Sequence, residues 1–469
     1  MIHRAVAVVS IVVLCYFVLM QLYLLALAVI SAFALYKERM LERFGRLDDM
    51  LVSDLSPPVS IVLPAYNEEV GVVESVRSIS MISYPRFEIV VVNDGSHDAT
   101  LEKLVDAFNM LPVPLPFRAN IPTAEVGQVY HTTRPVSITV VDKANGGRAD
   151  ALNAGINVAR YPYLMLTDAD VLIDGKALVN AMRYVVEDRE RTVAVGGNIR
   201  PLNGCVVKFG HIVEAKVPES FIERWQLLEY VRSFVASRPA WSALNSLPLV
   251  SGAFGIYLRQ AVVKVGGLTS GHMGEDMDLT MRIHRHYRSR GEPYRMLYAP
   301  SAVVWTEVPS TRQVLRRQRI RWHRGLMTAV HDFRSSFFNP HHGPIGMIGW
   351  PAMVLFEYLA PIVEMAGYII VPLSLLFGAI PLVPALWMLA IALLAGAFTS
   401  LIALFLDERY GYFNRPLAAF RLVLIVFIEN FGLRQQTVWW RIRALIGGRS
   451  VTGWGDMERR GVGNLGKAS

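Results

Sequence analysis

Cysteine is scarce in this sequence, with 2 residues among 469. Cys15 lies within an apolar run and Cys205 is isolated, so the chain has neither a disulfide framework nor the spacing of a zinc site. Chains without disulfides are typical of reducing compartments, and we therefore expect the soluble part of this protein to face the cytosol.

Several features that define other classes of protein are also missing. No Gly-x-Gly-x-x-Gly motif follows the first predicted strand, Val59–Leu63, which argues against a dinucleotide-binding domain. The sequence has no internal repeat and no low-complexity tail. The apolar run Ala5–Tyr36 is too long for a signal peptide and lacks a small-residue cleavage site, so we expect a membrane helix there.

Apolar residues, by contrast, are abundant. Hydrophobic residues make up 53% of the chain and charged residues 18%, and the mean hydropathy is +0.34. This composition is too apolar for an ordinary soluble enzyme and too charged for a bundle of membrane helices alone. It predicts one soluble domain of about 250 residues joined to membrane segments.

The basic residues lie beside the apolar segments. The formal net charge is +8, and Lys and Arg gather at Lys37–Arg46, Arg312–Arg324 and Arg434–Arg460. This placement indicates an excess of positive charge on the cytosolic side, or contact with anionic lipid head groups and phosphates. We therefore expect a lipid bilayer as partner and no nucleic acid, because the basic residues do not cluster on one face of the soluble domain.

The apolar segments predict a topology. Ala5–Tyr36 is predicted to cross the membrane with its N-terminus outside, because basic residues follow it. Two strongly apolar blocks, Ile345–Phe377 and Leu382–Leu406, come later, and Ala418–Leu433 is weaker. A basic C-terminal region favours an even number of crossings after the soluble domain, with the weaker segment either interfacial or paired with a split of the first block. We expect a multi-pass protein of the cell (inner) membrane.

Strands alternate with helices from Val59 onward. Such units predict an α/β domain with a Rossmann-like, mostly parallel sheet and helices on both faces, and the proline-rich stretch Pro112–Pro135 is expected to be a loop. The predicted parts of the chain are 1–46 (transmembrane helix and basic linker), 47–310 (cytosolic α/β domain), 311–344 (amphipathic, interfacial helices), 345–433 (transmembrane and interfacial helices) and 434–469 (basic cytosolic tail).

Four successive predicted strands end in polar clusters, at Pro64–Glu68, Asn93–Ser96, Asp142–Arg148 and Asp168–Asp170. Each cluster alone is typical of turns and helix caps. In parallel sheets, however, ligands bind beyond the carboxyl ends of the strands. Glu68 and Asp94 can accept hydrogen bonds from a base or ribose, Gly147 lets the backbone approach closely, and Lys143 and Arg148 supply cations. Together the clusters predict a nucleotide diphosphate site.

Asp168 and Asp170 stand one residue apart after the predicted strand Tyr163–Thr167. In a continuing strand, residues i and i+2 point to the same face, so both carboxylates could share one target. Two close like charges repel unless a cation or a proton relieves them, and a hard divalent ion with phosphate oxygens in its shell would do so. Taken alone, Asp-x-Asp is more often an ordinary turn or helix cap.

Two later clusters leave alternatives open. Glu275 and Asp276 open a predicted helix, where acidic residues usually complement the helix dipole. Arg316–Gly325 places five arginines and Trp322 in one helical patch. This patch is either a solvated or lipid-facing basic helix, or a phosphate clamp with an aromatic platform.

Six ordered motifs carry a family resemblance. They are Pro64-Ala-Tyr-Asn-Glu68, Asp94-Gly-Ser-x-Asp98, Lys143-x-Asn-Gly-Gly-Arg-Ala-Asp-Ala-Leu-Asn153, Asp168-x-Asp170, Glu275-Asp276 and Gln318-x-x-Arg321-Trp322. The set resembles the membrane-embedded family 2 glycosyltransferases, which include cellulose, hyaluronan, chitooligosaccharide and bacterial poly-N-acetylglucosamine synthases. It is most similar to the last of these branches. The resemblance covers about Ser56–Leu326.

The resemblance implies a GT-A fold, a nucleotide-sugar donor such as UDP-glucose or UDP-N-acetylglucosamine, and Mg²⁺ or Mn²⁺. Asp94 resembles the carboxylate that contacts the nucleoside, and Asp168 and Asp170 resemble the pair that holds the metal and diphosphate. The implied donor-binding residues are Pro64, Tyr66, Glu68, Asp94, Lys143, Gly147, Arg148 and Asp168.

The resemblance also implies the acceptor side of the reaction. Asp276 resembles the general base, with Glu275 beside it. Gln318, Arg321 and Trp322 resemble the motif that grips the diphosphate and lines the acceptor entrance, and this motif is associated with synthases that extend a polymer and pass it through the membrane. One base and no enzyme nucleophile predict inversion, which gives a β-linkage from an α-linked donor.

Two departures from the family pattern are mild. Gly274 stands where cellulose synthases carry Thr, and Arg148 where many members carry Lys. The smaller number of C-terminal helices leaves open whether export needs an accessory subunit. Two alternatives remain: transfer of one sugar to a lipid acceptor such as a polyprenyl phosphate or glycerolipid, and an inactive GT-A scaffold, which the intact carboxylates disfavour.

Overall fold

A computed structural model of the protein describes residues 2–44, 56–114, 120–134, 136–208, 211–378, 381–407 and 416–447. Residues 45–46 of the predicted basic linker, residues 47–55 at the start of the predicted α/β domain and residues 448–469 of the predicted basic tail lie outside these ranges. Within them, the long helix α1 (Ile2–Phe44) precedes an α/β domain, and further apolar helices follow it.

One mixed sheet of ten strands organises the α/β domain. Its strands are β1 (Val59–Ala65), β2 (Phe87–Asp94), β3 (Leu111–Pro112), β4 (Val126–Thr132), β5 (Ser137–Lys143), β6 (Tyr163–Thr167), β7 (Leu172–Ile173), β8 (Thr192–Pro201), β11 (Phe254–Leu258) and β12 (Arg295–Thr306). The order across the sheet is β3-β4-β5-β2-β1-β6-β11-β8-β12-β7. A separate hairpin is formed by β9 (Val206–Lys208) and β10 (His211–Glu214).

Helices cover both faces of the sheet. They are α2 (Val72–Ser80), α3 (Thr100–Ala107), α4 (Arg148–Val158), α5 (Ala177–Glu187), α6 (Phe221–Val231), α7 (Arg238–Ala243), α8 (Arg259–Lys264), α9 (Glu275–Arg290) and α10 (Arg312–Asp332). A π-helical segment, Arg232–Ser237, joins α6 to α7. Neighbouring residues of β1 fall on opposite faces, because Ile61 packs in one core cluster and Val62 in the other. Burial on both faces explains why this strand is mostly apolar.

The α/β prediction is confirmed, and the centre of the sheet is parallel as expected. β1 pairs in parallel with both β2 and β6, and β2 pairs in parallel with β5. The antiparallel strand β11 lies between β6 and β8. The sheet is therefore mixed, because connections later in the chain return strands in the opposite direction, which alternating patterns cannot reveal.

One local prediction is wrong. The stretch Pro112–Pro135 was expected to be a loop, but it contains β4 (Val126–Thr132), which pairs antiparallel with β5. β4 is a half-exposed strand near the sheet edge, with Val129 its one buried residue. Such a strand lacks the apolar run of the central strands, and the surrounding prolines hid it.

The remaining helices are mostly apolar. They are α11 (Trp350–Ala352), α12 (Ala360–Leu376), α13 (Leu382–Asp407), α14 (Pro416–Ile428) and α15 (Leu433–Ile446), with short π and 3₁₀ turns at Arg334–Ser336, Pro340–His342, Ile345–Gly349 and Met353–Tyr358. Among the described residues, three helical stretches are long and apolar enough to cross a membrane: Val8–Met40, Ile345–Leu376 and Ala385–Asp407. A further pair, α14 and α15, is bent by 57°.

Buried ion pairs attach the apolar helices to the α/β domain. Asp407 at the end of α13 pairs with Arg200 of β8, and the side chains are 0% and 4% exposed. Glu38 of α1 pairs with Arg183 of α5 at 3.2 Å and accepts a hydrogen bond from Ser301 of β12. Because removing one partner of a buried pair is costly, these contacts hold the two parts in a defined relation.

Candidate active site

The polar loops that follow β1, β2, β5 and β6 lie at one edge of the sheet. The parallel register places Ala65 opposite Asn93, and Asp94 opposite Lys143. The carboxyl ends of these strands therefore lie side by side, as the sequence predicted. These four loops, together with α9 and α10, build the candidate site.

The loop after β1 is fixed against the loop after β2. The Asn67 backbone N–H donates to Ser96 Oγ at 3.0 Å, and the His97 N–H donates back to Asn67 Oδ1 at 2.9 Å. Asn67 takes a positive φ of 53°, which asparagine tolerates better than most residues. The Glu68 N–H donates to Thr100 Oγ1. These bonds present Tyr66, 47% exposed, at the mouth of the site, one residue beyond Pro64 and Ala65 at the end of β1.

Asp94 is buried and organises the glycine loop, which we define as residues 144–147 between β5 and α4. Its carboxylate accepts from Lys143 Nζ at 2.7 Å and from the Gly146 and Gly147 N–H groups at 3.0 and 2.8 Å. Gly147 has a φ of 85°, a conformation that an L side chain would strain. Lys143 also lies 2.7 Å from Asp150, which the sequence analysis had quoted only as part of a motif. Asp94 and Lys143 thus shape the loop that a donor would contact.

Arg148 binds three groups of the site, and we call this set of contacts the Arg148 hub. Its Nε donates to Asp168 Oδ1 at 2.7 Å, Nη1 to Glu275 Oε1 at 2.7 Å, and Nη2 to the Gly252 carbonyl at 2.8 Å. Burial alone would lower the pKa of Arg148, but the Asp168 and Glu275 carboxylates outweigh it and raise that pKa. A Cβ at position 252 would lie 3.0 Å from Nη2, so glycine there leaves room for the guanidinium. One cation thus connects residues 168 and 275, which are far apart in sequence.

Asp168 and Asp170 follow β6 directly. The Asp168 side chain is 31% exposed and bound by Arg148 on one oxygen. Among the described residues, no three His, Cys, Asp or Glu side chains converge on a ready-made metal site. Magnesium is usually held by one or two carboxylates, with substrate phosphates and water completing its shell. Two carboxylates at a partly open strand end fit that arrangement.

Asp276 lies at the first turn of α9, deep beside the Arg148 hub. Its carboxylate accepts from the Gly252 N–H at 3.1 Å and from the Met277 N–H at 2.8 Å. Burial raises the pKa of Asp276 above its usual 3.8, and Glu275 raises it further, while Arg148 and the two N–H groups oppose the rise. A half-buried carboxylate with a raised pKa is a stronger base than an exposed one and is therefore suited to accept a proton.

Helix α10 crosses the start of α9 at two glycines. A Cβ at Gly325 would lie 3.1 Å from the Gly274 nitrogen, so the backbones touch here. The contact is tight at Gly325, where a side chain would crowd the α9 backbone, whereas a Cβ at Gly274 would lie no nearer than 3.4 Å to the Gly325 backbone, which is an ordinary contact. Trp322, one turn before Gly325, is 43% exposed and stacks against the Arg319 guanidinium at 4.5 Å.

The other residues of the α10 motif are partly enclosed. Gln318 Oε1 is buried and, within the described ranges, accepts no hydrogen bond. Arg321 is half-buried. Arg319, between them, pairs with both oxygens of Glu229 on α6 at 2.8 and 2.7 Å. The Glu229 contact was not foreseen, because the pairing of α6 with α10 has no local sequence signal.

Models of two families match the chain. "Glycosyl transferase family 2" matches residues 60–229, and "Glycosyl transferase family group 2" matches residues 204–402. Among curated proteins, a poly-beta-1,6-N-acetyl-D-glucosamine synthase of Staphylococcus epidermidis is 29% identical over 57% of this chain and 54% of its own length. One from Staphylococcus aureus is 27% identical over the same shares. The chain thus spans about half the length of the curated relatives it matches.

Solved structures also resemble the chain. A mannosyltransferase from Pyrobaculum calidifontis, in complex with GDP-Man and Mn²⁺, is 18% identical and covers 91% of this chain and 98% of its own, with a TM-score of 0.47. Residues 1–349 of S. aureus TarS are 18% identical and cover 56% of this chain and 65% of their own, with a TM-score of 0.35.

Proposed function

The chain belongs to glycosyl transferase family 2, and we propose that it is an inverting, metal-dependent enzyme that extends a β-linked polysaccharide from a UDP-sugar at the cytosolic face of a membrane. The observation that carries this proposal is the Arg148 hub, which joins Asp168 of the strand edge to Glu275 beside Asp276. Because Arg148 binds both carboxylates, it supports a single site in which Asp168 would face the diphosphate and Asp276 would act as the base.

The donor would bind along the loops at the carboxyl ends of the strands. Tyr66 offers an exposed ring for the base, and the Asp94-organised glycine loop offers close backbone approach to the nucleoside diphosphate. Asp168 and Asp170 would hold Mg²⁺ or Mn²⁺, which when bound would stabilise the charge that develops on the departing diphosphate. Arg148 would keep the Asp168 carboxylate turned toward that group.

The acceptor hydroxyl would be activated by Asp276. Its raised pKa and its fixed position under two backbone N–H groups support this role. The acceptor hydroxyl, losing its proton to Asp276, would attack the anomeric carbon from the face opposite the departing diphosphate, which gives inversion and hence a β-linkage from an α-linked donor. Trp322 on α10, exposed and held by Arg319, would support the growing sugar chain.

The membrane arrangement supports a catalytic domain beside the bilayer. Asp407 at the end of α13 pairs with Arg200 of strand β8 in the domain. The chain would therefore cross the membrane in α12 and cross back to the side of the domain in α13. This is the even number of later crossings expected for a cytosolic domain. The N-terminus would then lie outside. Export of the polymer, alone or with an accessory subunit, belongs to the same proposal.

The similarity to proteins named poly-beta-1,6-N-acetyl-D-glucosamine synthase favours UDP-N-acetylglucosamine over UDP-glucose as donor. The test is to incubate the purified full-length protein with Mn²⁺ and each radiolabelled donor, and then to size the product. A long product supports the synthase, whereas a single sugar on an organic-soluble lipid supports the lipid-acceptor alternative.

An Asp276→Asn variant tests the base. We expect transfer to fall by about a hundredfold or more, because a general base contributes that much, while UDP-sugar binding survives. An Asp106→Asn variant on the exposed face of α3 is the matched control. If Asp276→Asn polymerises sugar at nearly the wild-type rate, Asp276 is not the base. If the wild-type protein transfers sugar from no nucleotide sugar, the proposal that it is an enzyme is refuted.

A further inference from the structure

The mechanism above does not use α14 and α15, the pair of helices bent by 57°. α14 (Pro416–Ile428) has 13 residues, and α15 (Leu433–Ile446) follows it after a short break. At a rise of 1.5 Å per residue, α14 is about 20 Å long. The hydrocarbon core of a bilayer is about 30 Å thick, so α14 alone is too short to cross it. The pair is therefore either one broken crossing or a hairpin that enters and leaves on the same side.

The first helix of the pair begins on the side of the α/β domain. The preceding helix, α13, ends at Asp407 in its buried ion pair with β8. Leu422 of α14 packs in one cluster with Ala403, four residues before that end, and with Leu227 of α6. Further along α14, Ile425 packs in one cluster with Ala397. As α14 proceeds, its contacts thus move away from the Asp407 end of α13.

The second helix of the pair also ends on the side of the α/β domain. Arg441 Nε donates to His323 Nδ1 of α10 at 3.3 Å. A Cβ at Gly447, directly after α15, would lie 2.8 Å from Nη2 of Arg324 on the same helix. Trp440 packs in one cluster with Leu315 of α10. Because α10 belongs to the domain, α15 returns to the side from which α14 started.

The break between the two helices lies partway along α13. Glu429 accepts a hydrogen bond from Ser400 Oγ at 3.3 Å and pairs with Arg232 of the π-helical segment at 2.5 Å. From Ser400, α13 continues to Leu382, which is about 27 Å of helix. The break therefore lies far from the other end of α13, whereas a broken crossing would carry the chain to that end.

Polar groups at the break are bound inside the protein. Gln435 Nε2 donates to the Asn430 carbonyl at 2.6 Å, and Arg434 Nε donates to Glu364 of α12 at 3.1 Å. Gly432 takes a φ of 84°, which lets the chain turn without strain. Backbone outside regular helices is tolerated at membrane depth where protein groups satisfy it.

The outer face of α14 is apolar and uncovered. Leu422, Ile425 and Val426 are buried against the protein. The opposite face has large apolar side chains that are 39% to 63% exposed, namely Leu417, Phe420, Val423, Leu424, Phe427 and, at the break, Phe431. The helix on which α14 packs, α13, contains the candidate membrane span Ala385–Asp407. The exposed face of α14 is thus continuous with a helix that is itself suited to lipid, and acyl chains are its natural partner.

We propose that α14 and α15 form a re-entrant hairpin, whose apolar outer face contacts the acyl chains of the leaflet next to the α/β domain and does not cross to the other leaflet. This inference is independent of the proposed function, because it follows from the contacts at the two ends and at the break. It also means that a helix embedded in one leaflet continues directly into α15, which packs on the Trp322 helix α10.

The test is to find on which side of the membrane each end of the pair lies. In full-length protein with Cys15→Ser and Cys205→Ser, single cysteines replace Pro416 at the start of α14 and Ile446, 78% exposed, at the end of α15. Leu111→Cys, 68% exposed at the sheet edge, is the matched control that reports the side of the domain. A membrane-impermeant maleimide is added to spheroplasts and to inverted vesicles of the same cells.

We expect all three cysteines to react in the same preparation. Reaction of Pro416→Cys and Ile446→Cys in opposite preparations would overturn the inference in favour of a broken crossing. If the cysteine variants do not fold, an epitope tag after Ser469 of the otherwise unchanged protein decides the question. The tag should be accessible in the same preparation as an antibody epitope of the α/β domain, and accessibility on the other side would equally refute the hairpin.

Discussion

The Arg148 hub predicts a strong and specific defect in an Arg148→Met variant. The substitution keeps much of the side-chain volume but removes the hydrogen bonds to Asp168, Glu275 and the Gly252 carbonyl, which measure 2.7, 2.7 and 2.8 Å. Two of these acceptors are carboxylates that are mostly buried, at 31% and 14% exposure. Both would lose their common cation and repel each other beside Asp276.

The size of the effect follows from these contacts. A hydrogen bond between charged groups is worth about 1.5–3 kcal/mol, so the loss of two amounts to roughly 3–6 kcal/mol. If the hub holds the donor site in its reactive geometry, kcat/KM should fall by about 10² to 10⁴-fold. Arg148→Lys keeps the charge but reaches fewer of the three acceptors at once, so its loss should be smaller, about 10 to 100-fold.

The pH dependence gives a second, independent readout. Arg148 lowers the pKa of Asp276, whose burial and neighbour Glu275 raise it. A base must be deprotonated to act, so activity declines as the pH falls through the Asp276 pKa. Removing Arg148 raises that pKa, and the acid limb of the rate profile should therefore move to higher pH in Arg148→Met and stay in place in Arg148→Lys.

The assay is UDP release against pH for wild type and the two variants. Arg160→Gln is the control, because Arg160 also pairs with a carboxylate, Glu88 Oε2 at 2.6 Å, but at the opposite ends of the strands. An Arg148→Met enzyme with an unmoved acid limb and kcat/KM within about threefold of wild type would refute the hub. A loss shared equally by the control would point to general destabilisation.

Two further predictions concern stability. Ser31→Ala should lower the melting temperature in detergent, because it leaves the Ala236 carbonyl and the Ala240 N–H without the Ser31 hydroxyl, at a loss of about 2 kcal/mol. Ser31→Thr keeps the hydroxyl and should melt like the wild type. Equal melting temperatures of all three proteins would show that these two hydrogen bonds do not stabilise the fold. Burial lowers the pKa of His284 from 6.5 to about 4, so the fold favours its neutral form. The stability it contributes is present above pH 6.5 and falls by about 2 kcal/mol by pH 5, and His284→Gln should lose less over that range in thermal unfolding.

The strand-end clusters were predictable because their signal is local. A strand such as β6 is a short apolar run, and Asp168 and Asp170 follow it directly in the sequence. Parallel pairing then brings successive strand ends together without further information. The half-exposed strand β4 was missed for the converse reason, because at the sheet edge burial no longer imposes an apolar run.

The contacts that each site residue makes were harder to predict from the sequence. From the sequence we predicted that Asp94 and Lys143 contact a donor. In the structure the two side chains pair with each other at 2.7 Å beside the glycine loop. The arrangement depends on the approach of β5 to β2, which no local pattern encodes. Likewise, no local pattern indicates that the Gly325 backbone lies against the Gly274 backbone.

The sequence by itself determined that apolar helices flank an α/β domain, that four polar clusters share a sheet edge, and that the carboxylates of a transferase are present. These follow from periodicity, composition and motif order, which are properties of neighbouring residues. Only the tertiary structure decided that Arg148 joins Asp168 to Glu275 and that Arg319 of α10 pairs with Glu229 of α6. Such contacts join residues that are close in space because helices and strands pack, and packing is a property of the whole chain.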